Sequence, residues 1–231
     1  MTTSPASFDN SLVRDVTDAL ASIRTRILST GRRLEDVRIL AVTKTFSLAH
    51  VAAIRAAGLD HVGENYVQEM VTKRSEWDAL SSPTLTWHFL GALQTNKIAD
   101  VAQYADVAAS VSRVKEIDVF ARQERRIPLL LQIDFTGRGE RNGAPLDGVE
   151  ALLSAAQRHG LDVRGLMTVA DPDHAAARRQ FRALRRACDD LRLAECSMGM
   201  SDDLEIACDE GTTEIRVGRA LFGARKPGAA R

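Results

Sequence analysis

The sequence predicts an α/β fold, namely a single (β/α)₈ TIM barrel preceded by one extra helix. Eight short apolar runs recur along the 231 residues, and each is separated from the next by an amphipathic stretch with helical spacing. No Gly-, Ser- or Pro-rich linker and no shift in composition marks a domain boundary. Strands that alternate with helices are typical of a parallel sheet, and eight such units close a barrel. An open, doubly wound sheet is the alternative, because the strand count decides between the two.

The chain begins with a predicted helix that precedes the first strand. From about Phe8 to Thr30, apolar residues fall on one helical stripe, and Gly31 is suited to end the helix. The stripe consists of Leu12, Val16, Leu20, Ile23 and Ile27. We expect a flexible N-terminus over residues 1–9, a barrel domain over residues 10–225 and a flexible C-terminal tail over residues 226–231.

The eight predicted strands are apolar runs of three to six residues, as expected for strands buried on both faces. In order they are Ile39–Thr43, His61–Gly63, Trp87–Leu90, Val107–Val111, Pro128–Ile133, Val163–Met167, Glu195–Ser197 and Glu214–Val217. The intervening segments have apolar residues at helical spacing. These helices are predicted at Leu48–Ala57, Asn65–Leu80, Thr95–Gln103, Val114–Glu124, Leu146–His159, Ala175–Leu191 and Asp202–Glu210, with a short one at Ala220–Gly223. The glycine-rich, charged loop Phe135–Pro145 is expected to be mobile.

The composition argues against several classes of function. Basic and acidic residues number 31 each, so the formal net charge is zero and no excess of positive charge favours nucleic acid. No apolar run approaches the length of a membrane span, and Met1–Ser7 lacks the apolar core of a signal peptide. The three cysteines, Cys188, Cys196 and Cys208, have no metal-ligand spacing. We therefore expect a cytoplasmic protein with reduced, buried thiols, no metal site, no membrane contact and no nucleic-acid partner.

Lys44 stands where the first buried strand ends. An ammonium at such a place is costly to bury, so it must reach water, find an anion or lose its charge. Lysines in such sites can form Schiff bases with carbonyl compounds, including pyridoxal phosphate. The alternative is a lysine whose stem lies along apolar surface while its head reaches solvent. In a parallel barrel, functional residues gather at the carboxyl ends of the strands. This stretch alone favours neither interpretation of Lys44, so the rest of the chain has to decide between them.

The loops after strands seven and eight have the features of an anion site. Ser197-Met198-Gly199-Met200-Ser201 and Gly218-Arg219 supply glycines, hydroxyls and backbone N–H groups at helix starts. Barrels often bind phosphate in these two loops. A turn with an N-cap at Ser201 is the alternative, although it does not explain Ser197 and Gly199. Asp202 and Asp203 repel anions, so a phosphate here requires both to point outward.

Arg216 lies inside the eighth predicted strand, where a buried guanidinium needs a planar or anionic partner. A pyridine nitrogen is one such partner, and an arginine there would keep the nitrogen unprotonated and weaken the cofactor as an electron sink. An internal ion pair with Glu214 or Glu64 is the alternative.

Six stretches of the chain closely resemble the YggS/PROSC family of pyridoxal phosphate homeostasis proteins. They are AVTKTFS, GENYVQEM, WHFLGALQTNK, RGLMTVA, CSMGMSDDLEIA and IRVGRALFGAR. They occur in the family's order between about residue 10 and Arg225, so the resemblance covers nearly the whole chain. It implies a barrel like the N-terminal domain of alanine racemase, with pyridoxal 5′-phosphate (PLP) held as an internal aldimine.

The resemblance also implies roles for individual residues. Lys44 matches the Schiff-base lysine, Asn65 the residue beside the cofactor and Arg216 the residue that faces the pyridine nitrogen. The phosphate-binding region matches Ser197, Met198, Gly199, Ser201, Gly218 and Arg219, the last two chiefly through backbone N–H groups. His88 and Asn96 belong to a family signature near the cofactor mouth, where they can order a loop.

The chain departs from the family pattern at two places. Val42-Thr43-Lys44 stands where the family commonly has VSK, which is a mild change. In the loop after strand five, Glu140-Arg141-Asn142-Gly143 stands where members often have a Ser-Lys-Ser/Thr-Gly run. In some family members, a lysine proposed as a secondary cofactor acceptor stands at the position of Arg141. Arginine forms no stable aldimine, so a transfer role of this loop is in doubt for this chain.

Three functions are compatible with a Schiff-base lysine in a barrel: a PLP carrier, an amino-acid racemase and a cofactor-free aldolase. Arg216 and the full motif set argue against the aldolase. A racemase needs a second acid–base group from an additional domain, and neither Tyr66 nor Tyr104 is placed to supply it. We therefore expect a monomeric, non-enzymatic protein that holds PLP and transiently meets apo PLP-dependent enzymes. A racemase-like enzyme is the alternative.

Overall fold

The structure, a computed structural model, describes residues 10–80, 83–137 and 142–223. The predicted flexible termini, residues 1–9 and 226–231, lie outside these described residues. Arg141 and residues 224 and 225 of the predicted barrel domain lie outside them as well. Eight parallel strands form a closed barrel in sequence order, and the first strand pairs with the last. The predicted (β/α)₈ barrel is therefore confirmed, and the alternative of an open, doubly wound sheet is wrong.

All eight strands lie where the apolar runs predict them, within a residue or two at each end. They are β1 (Arg38–Val42), β2 (His61–Glu64), β3 (Thr86–Phe89), β4 (Val107–Val111), β5 (Leu129–Ile133), β6 (Val163–Thr168), β7 (Glu195–Ser197) and β8 (Glu214–Val217). The helices around them are α1 (Asn10–Ser29), α2 (Leu48–Ala56), α3 (Val67–Ala79), α4 (Ile98–Tyr104), α5 (Val114–Phe120), α6 (Val149–Arg158), α7 (His174–Asp190), α8 (Leu204–Asp209) and α9 (Arg219–Phe222).

The extra helix α1 packs on the outside of the barrel against α2, α8 and α9. Four members of its predicted stripe are fully buried: Val16, Leu20, Ile23 and Ile27. Arg26 on the same helix donates to Glu205 of α8, with an Nε to Oε1 distance of 2.5 Å. These contacts fasten α1 beside the two helices that follow β7 and β8, so α1 supports the end of the barrel where the site lies.

The main core lies between the strands and the surrounding helices, where the outward-facing strand residues Trp87 and Phe89 are buried, as is Phe181 of α7. A second, small apolar cluster of Val107, Ala109, Leu130 and Met167 fills only one side of the barrel. The other side is polar, and its residues are described below. All three cysteines are buried and free.

Within the described ranges, none of the helices combines the length and the apolar character that crossing a bilayer demands. The same part of the chain holds no cluster of His, Cys, Asp and Glu suited to a metal ion.

Candidate functional site

A cavity of about 180 Å³ opens at the carboxyl ends of the strands. Six of the nine predicted site residues line it: Lys44, Asn65, Ser201, Arg216, Gly218 and Arg219. Apolar side chains supply most of the remaining wall, namely Val42, Leu90, Met167, Val169 and Met200. The barrel therefore brings an amine, a guanidinium, an amide and a hydroxyl to one apolar cavity.

Lys44 follows the end of β1 by two residues and is half-buried at the cavity wall. The next residue, Thr45, has a φ of +67°, in the left-handed region. A β-branched residue is rarely found there, and such strain persists only where neighbouring contacts impose it. The turn that presents Lys44 is therefore held in place by its surroundings.

The contacts that hold this turn come from β2 and α3. The Thr43 hydroxyl donates to Oε1 of Glu64 over 2.6 Å, and the Thr43 carbonyl accepts from Nζ of Lys73 over 2.8 Å. On the other side of Lys44, the backbone N–H of Thr45 donates to Oε2 of Glu69 over 2.7 Å. Both neighbours of Lys44 are thus fixed by side chains of the GENYVQEM segment and of Lys73.

Glu64, Lys73 and Glu69 form a largely buried charge cluster behind this turn. Nζ of Lys73 lies 2.8 Å from Oε1 of Glu64 and 3.2 Å from Oε2 of Glu69. Burial raises the pKa of Glu64, and the ammonium of Lys73 acts against that rise. None of the three was predicted as a site residue. The spacing of Glu69 and Lys73, four apart on a predicted helix, is the one signal that could have pointed to a pair.

Arg216 is buried, with 5% of its surface exposed, at the inner wall of the cavity. Its Nη1 donates to the Ser197 hydroxyl over 2.8 Å, and its Nη2 donates to the Thr168 carbonyl over 2.6 Å. Desolvation lowers the pKa of Arg216. The direct ion pair that was the alternative is not formed, because Glu64 pairs with Lys73 and Glu214 reaches Arg216 only through Ser197.

The other three predicted site residues lie beneath the cavity instead of lining it. Ser197 is fully buried and donates to Oε1 of Glu214 over 2.7 Å. Met198 is fully buried as well. Gly199 has a φ of +95°, and a Cβ there would lie 2.5 Å from Cβ of Ala207. These residues shape the β7 end of the loop that carries Ser201.

The loop after β7 also meets the loop after β8. The Ser201 hydroxyl accepts from the backbone N–H of Ala220 over 3.1 Å, and the Arg219 side chain donates to Asp202. Asp202 is exposed, but Asp203 is not, so the condition that both carboxylates point outward is wrong for Asp203. Neither carboxylate lines the cavity, however, so neither faces an anion bound there. Asp203 is buried and its carboxylate accepts from the backbone N–H of Met200 over 2.5 Å. A short loop needs its own N–H groups satisfied, and Asp203 does this.

His88 does not lie at the mouth of the cavity, and this part of the sequence-based expectation is wrong. The side chain is fully buried inside the barrel, and its Nε2 lies 2.9 Å from Nδ1 of His61 at the start of β2. Its Nδ1 lies 4.0 Å from Oε2 of Glu214. Strand residues alternate between the two faces, so His88 points inward while the neighbouring Trp87 and Phe89 point outward. Asn96 is exposed in a short 3₁₀ turn.

We expect His88 to make the protein acid-sensitive. Burial lowers the pKa of His88 to about 4. Below pH 6.5, the ordinary pKa of histidine, His88 binds a proton in the unfolded chain but not in the folded protein. Stability therefore falls as the pH drops from about 6.5 toward 4. The loss at pH 5 should be about 2 kcal/mol relative to pH 8.

Urea unfolding of wild type and His88→Gln at pH 8 and pH 5 measures this loss. The variant should lose about 2 kcal/mol less than wild type between the two pH values, since glutamine does not titrate. The exposed His174→Gln variant is the control and should follow wild type. An equal pH dependence in His88→Gln and wild type would contradict the assignment.

Comparisons with known proteins show to which family the chain belongs. The model of the alanine racemase N-terminal domain matches residues 19–226. The pyridoxal phosphate homeostasis protein of Pseudomonas aeruginosa is 37% identical over 229 residues, covering 95% of this chain and 98% of the relative. The Escherichia coli K12 protein of the same name is 34% identical, covering 92% of this chain and 98% of the relative.

Two solved structures share the fold of this chain. PipY of Synechococcus elongatus, determined with PLP bound, is 32% identical with a TM-score of 0.78, covering 90% of this chain and all of PipY. Alanine racemase of Corynebacterium glutamicum is 16% identical with a TM-score of 0.71, covering 95% of this chain and 64% of the racemase, and this likeness shows the fold alone. The chain belongs to the alanine racemase N-terminal-domain family and, within it, to the pyridoxal phosphate homeostasis proteins.

Proposed function

We propose that this protein binds pyridoxal 5′-phosphate in the cavity and holds it as an internal aldimine on Lys44. The observation that carries the proposal is that Lys44 and Arg216 line one cavity together with Ser201, Gly218 and Arg219. An amine is the group that captures an aldehyde, and a guanidinium can meet a pyridine nitrogen. PipY, 32% identical, is described with PLP bound.

The donor set fits each part of this cofactor. The Ser201 hydroxyl and the backbone N–H groups around Gly218 and Arg219 are suited to the phosphate, and Asn65 is suited to a polar substituent of the ring. The apolar wall formed by Leu90, Met167 and other side chains suits the faces of the ring. Ser197, Met198 and Gly199 support the phosphate loop from beneath in this proposal.

We infer a carrier of PLP rather than a catalyst. Among the described residues that line the cavity, none is a Tyr, His, Cys, Asp or Glu. Racemisation at an α-carbon requires a proton donor on the face of the cofactor opposite to the lysine. Arg216 would also leave the pyridine nitrogen unprotonated, which weakens the cofactor as an electron sink. Tyr66, although next to Asn65, is 51% exposed and does not line the cavity.

The proposed role is to hold PLP within the cell and to release it to apo PLP-dependent enzymes through transient contact. The protein acts as a monomer in this proposal. The support is the family membership, since its relatives are named pyridoxal phosphate homeostasis proteins.

Lys44→Ala should abolish covalent capture of the cofactor. Wild-type protein incubated with PLP and reduced with borohydride should carry a phosphopyridoxyl group on the peptide that contains Lys44, as read by peptide mass mapping. Lys115→Ala, at an exposed lysine of α5, is the matched control and should be labelled like wild type. Full labelling of the Lys44→Ala protein would refute the assignment.

A second measurement separates the carrier from the enzyme. PLP-loaded protein, mixed with a PLP-free aminotransferase, should restore aminotransferase activity, while the same loaded protein racemises no free amino acid. Rapid racemisation of an amino acid by purified protein would instead support the racemase.

A further inference from the structure

The polar half of the barrel interior contains a continuous chain of hydrogen bonds that begins at the cavity. Its members come from β1, β7 and β8, and all but the two at the far end are buried. In order from the cavity they are Arg216, Ser197, Glu214, Arg38 and Glu195. Nothing in the proposed capture of an aldehyde by Lys44 requires such a chain.

The distances along this chain are those of good hydrogen bonds. Nη1 of Arg216 lies 2.8 Å from the Ser197 hydroxyl, which lies 2.7 Å from Oε1 of Glu214. Nη1 of Arg38 lies 3.1 Å from Oε2 of Glu214 and 3.1 Å from Oε2 of Glu195. Arg38 and Glu195 are partly exposed at the opposite end of the barrel, so the chain runs from the cavity through the barrel interior.

The direction of these bonds depends on the charge of Glu214. A hydroxyl has one proton, and an ionised carboxylate only accepts. Ser197 must therefore donate to Glu214, and its lone pairs remain for the guanidinium of Arg216. Ser197 and Glu214 are 0% and 1% exposed, so water does not compete for either group.

The charges of the chain also balance. Arg38 and Arg216 carry two positive charges, and Glu195 and Glu214 carry two negative charges. Among the described residues no carboxylate lies within 4.0 Å of the Arg216 guanidinium, so Glu214 is its main counter-charge through Ser197, and buried Asp203 contributes a smaller one. His88, whose Nδ1 lies 4.0 Å from Oε2 of Glu214, is neutral at pH 7 because burial lowers its pKa to about 4, and burial lowers the pKa of the adjacent His61 as well.

We propose that Glu214 and Ser197 are positioning residues for the cofactor: they compensate the charge of the Arg216 guanidinium and hold it in a fixed orientation toward the pyridine ring. This inference rests on the proposed function, because it takes the cavity as the PLP site. The affinity and the protonation of bound PLP then depend on two residues that do not line the cavity.

The test uses Ser197→Ala and Glu214→Gln, with Glu195→Gln as the matched control. Glu195→Gln removes a negative charge that pairs with the same Arg38, but it leaves the bonds among Glu214, Ser197 and Arg216 in place. PLP affinity is measured by absorbance titration, and the pH midpoint of the bound cofactor's absorption band is measured for each protein. Thermal melting of each PLP-free variant separately reports whether it folds.

Ser197→Ala should raise the dissociation constant for PLP about tenfold, the equivalent of one lost hydrogen bond to a charged group. Glu214→Gln should lower the pH midpoint by about half a unit or more, because the Arg216 charge is then uncompensated and disfavours protonation of the cofactor. Glu195→Gln should match wild type in both measurements.

Absence of either expected change in a folded variant overturns the inference. Such a result would leave the proposed function standing. The proposed function fails only if wild-type protein itself shows no Lys44-dependent absorption band with PLP. The two failures are therefore distinguishable.

Discussion

Lys73→Met should lower the free energy of unfolding by about 3–5 kcal/mol at neutral pH, because it leaves a buried carboxylate without its partner. Glu64 is 0% exposed, and its Oε1 lies 2.8 Å from Nζ of Lys73. Among the groups that the structure describes, Glu64 Oε2 has no hydrogen-bond partner, so the ammonium is the main compensation for this charge. Methionine matches the length of the lysine stem but supplies no charge and no donor.

The loss should depend on pH in a way that identifies its cause. Burial already raises the pKa of Glu64, and Lys73 opposes the rise. Without Lys73 the folded-state pKa of Glu64 rises further, so the folded state binds a proton that the unfolded chain releases. Stability of the variant then falls as pH rises. The difference between wild type and Lys73→Met should therefore be larger at pH 8 than at pH 6, as measured by urea unfolding.

A double variant provides the control. In Glu64→Gln/Lys73→Met the buried charge is gone, so the double variant should be more stable than Lys73→Met alone. Lys97→Met, at a partly exposed lysine, should change stability by less than about 1 kcal/mol. If Lys73→Met and Lys97→Met are equally stable, Glu64 is not held ionised by Lys73.

The fold could be predicted from the sequence because each strand is a separate apolar run. Strands buried on both faces differ sharply from the amphipathic helices between them, and this contrast requires no knowledge of tertiary contacts. Ends were less exact: the helix predicted to begin at Asn65 begins at Val67, because Asn65 lies at a bend beside the cavity and Tyr66 is extended.

From the residues alone, the candidate site could be predicted where glycines and hydroxyls follow neighbouring strands, and where a residue is out of place in its own element. Lys44 at a strand end and Arg216 inside a strand are such residues, and both line the cavity. Lys73 and Glu64 give no such signal, because their pairing joins a helix to a strand and depends on the closed barrel. Ser197 fits a phosphate loop by sequence, but the register of β7 against β8 turns its hydroxyl toward Glu214.

Gly91→Ala should destabilise the fold by about 2–4 kcal/mol and also weaken PLP binding, because the glycine lies directly against the cavity backbone. A Cβ at Gly91 would lie 1.9 Å from the backbone oxygen of Asn65 and 3.0 Å from the Phe89 ring. Gly91 cannot readily move away, since its carbonyl accepts from the Ser110 hydroxyl over 2.6 Å. The backbone of Asn65 must therefore move instead, and Asn65 lines the cavity.

Gly165→Ala is the matched control for the steric clash. A Cβ at Gly165 would also lie 1.9 Å from a backbone oxygen, that of Glu195, but at the end of the barrel opposite to the cavity. Both variants should melt at lower temperature than wild type. Below their melting temperatures, only Gly91→Ala should show a raised dissociation constant for PLP in an absorbance titration. Equal PLP affinity in the two variants would mean that the backbone at Asn65 does not shape the site. A difference between them would attribute the loss to the Asn65 segment, since the size of the clash is the same at both glycines.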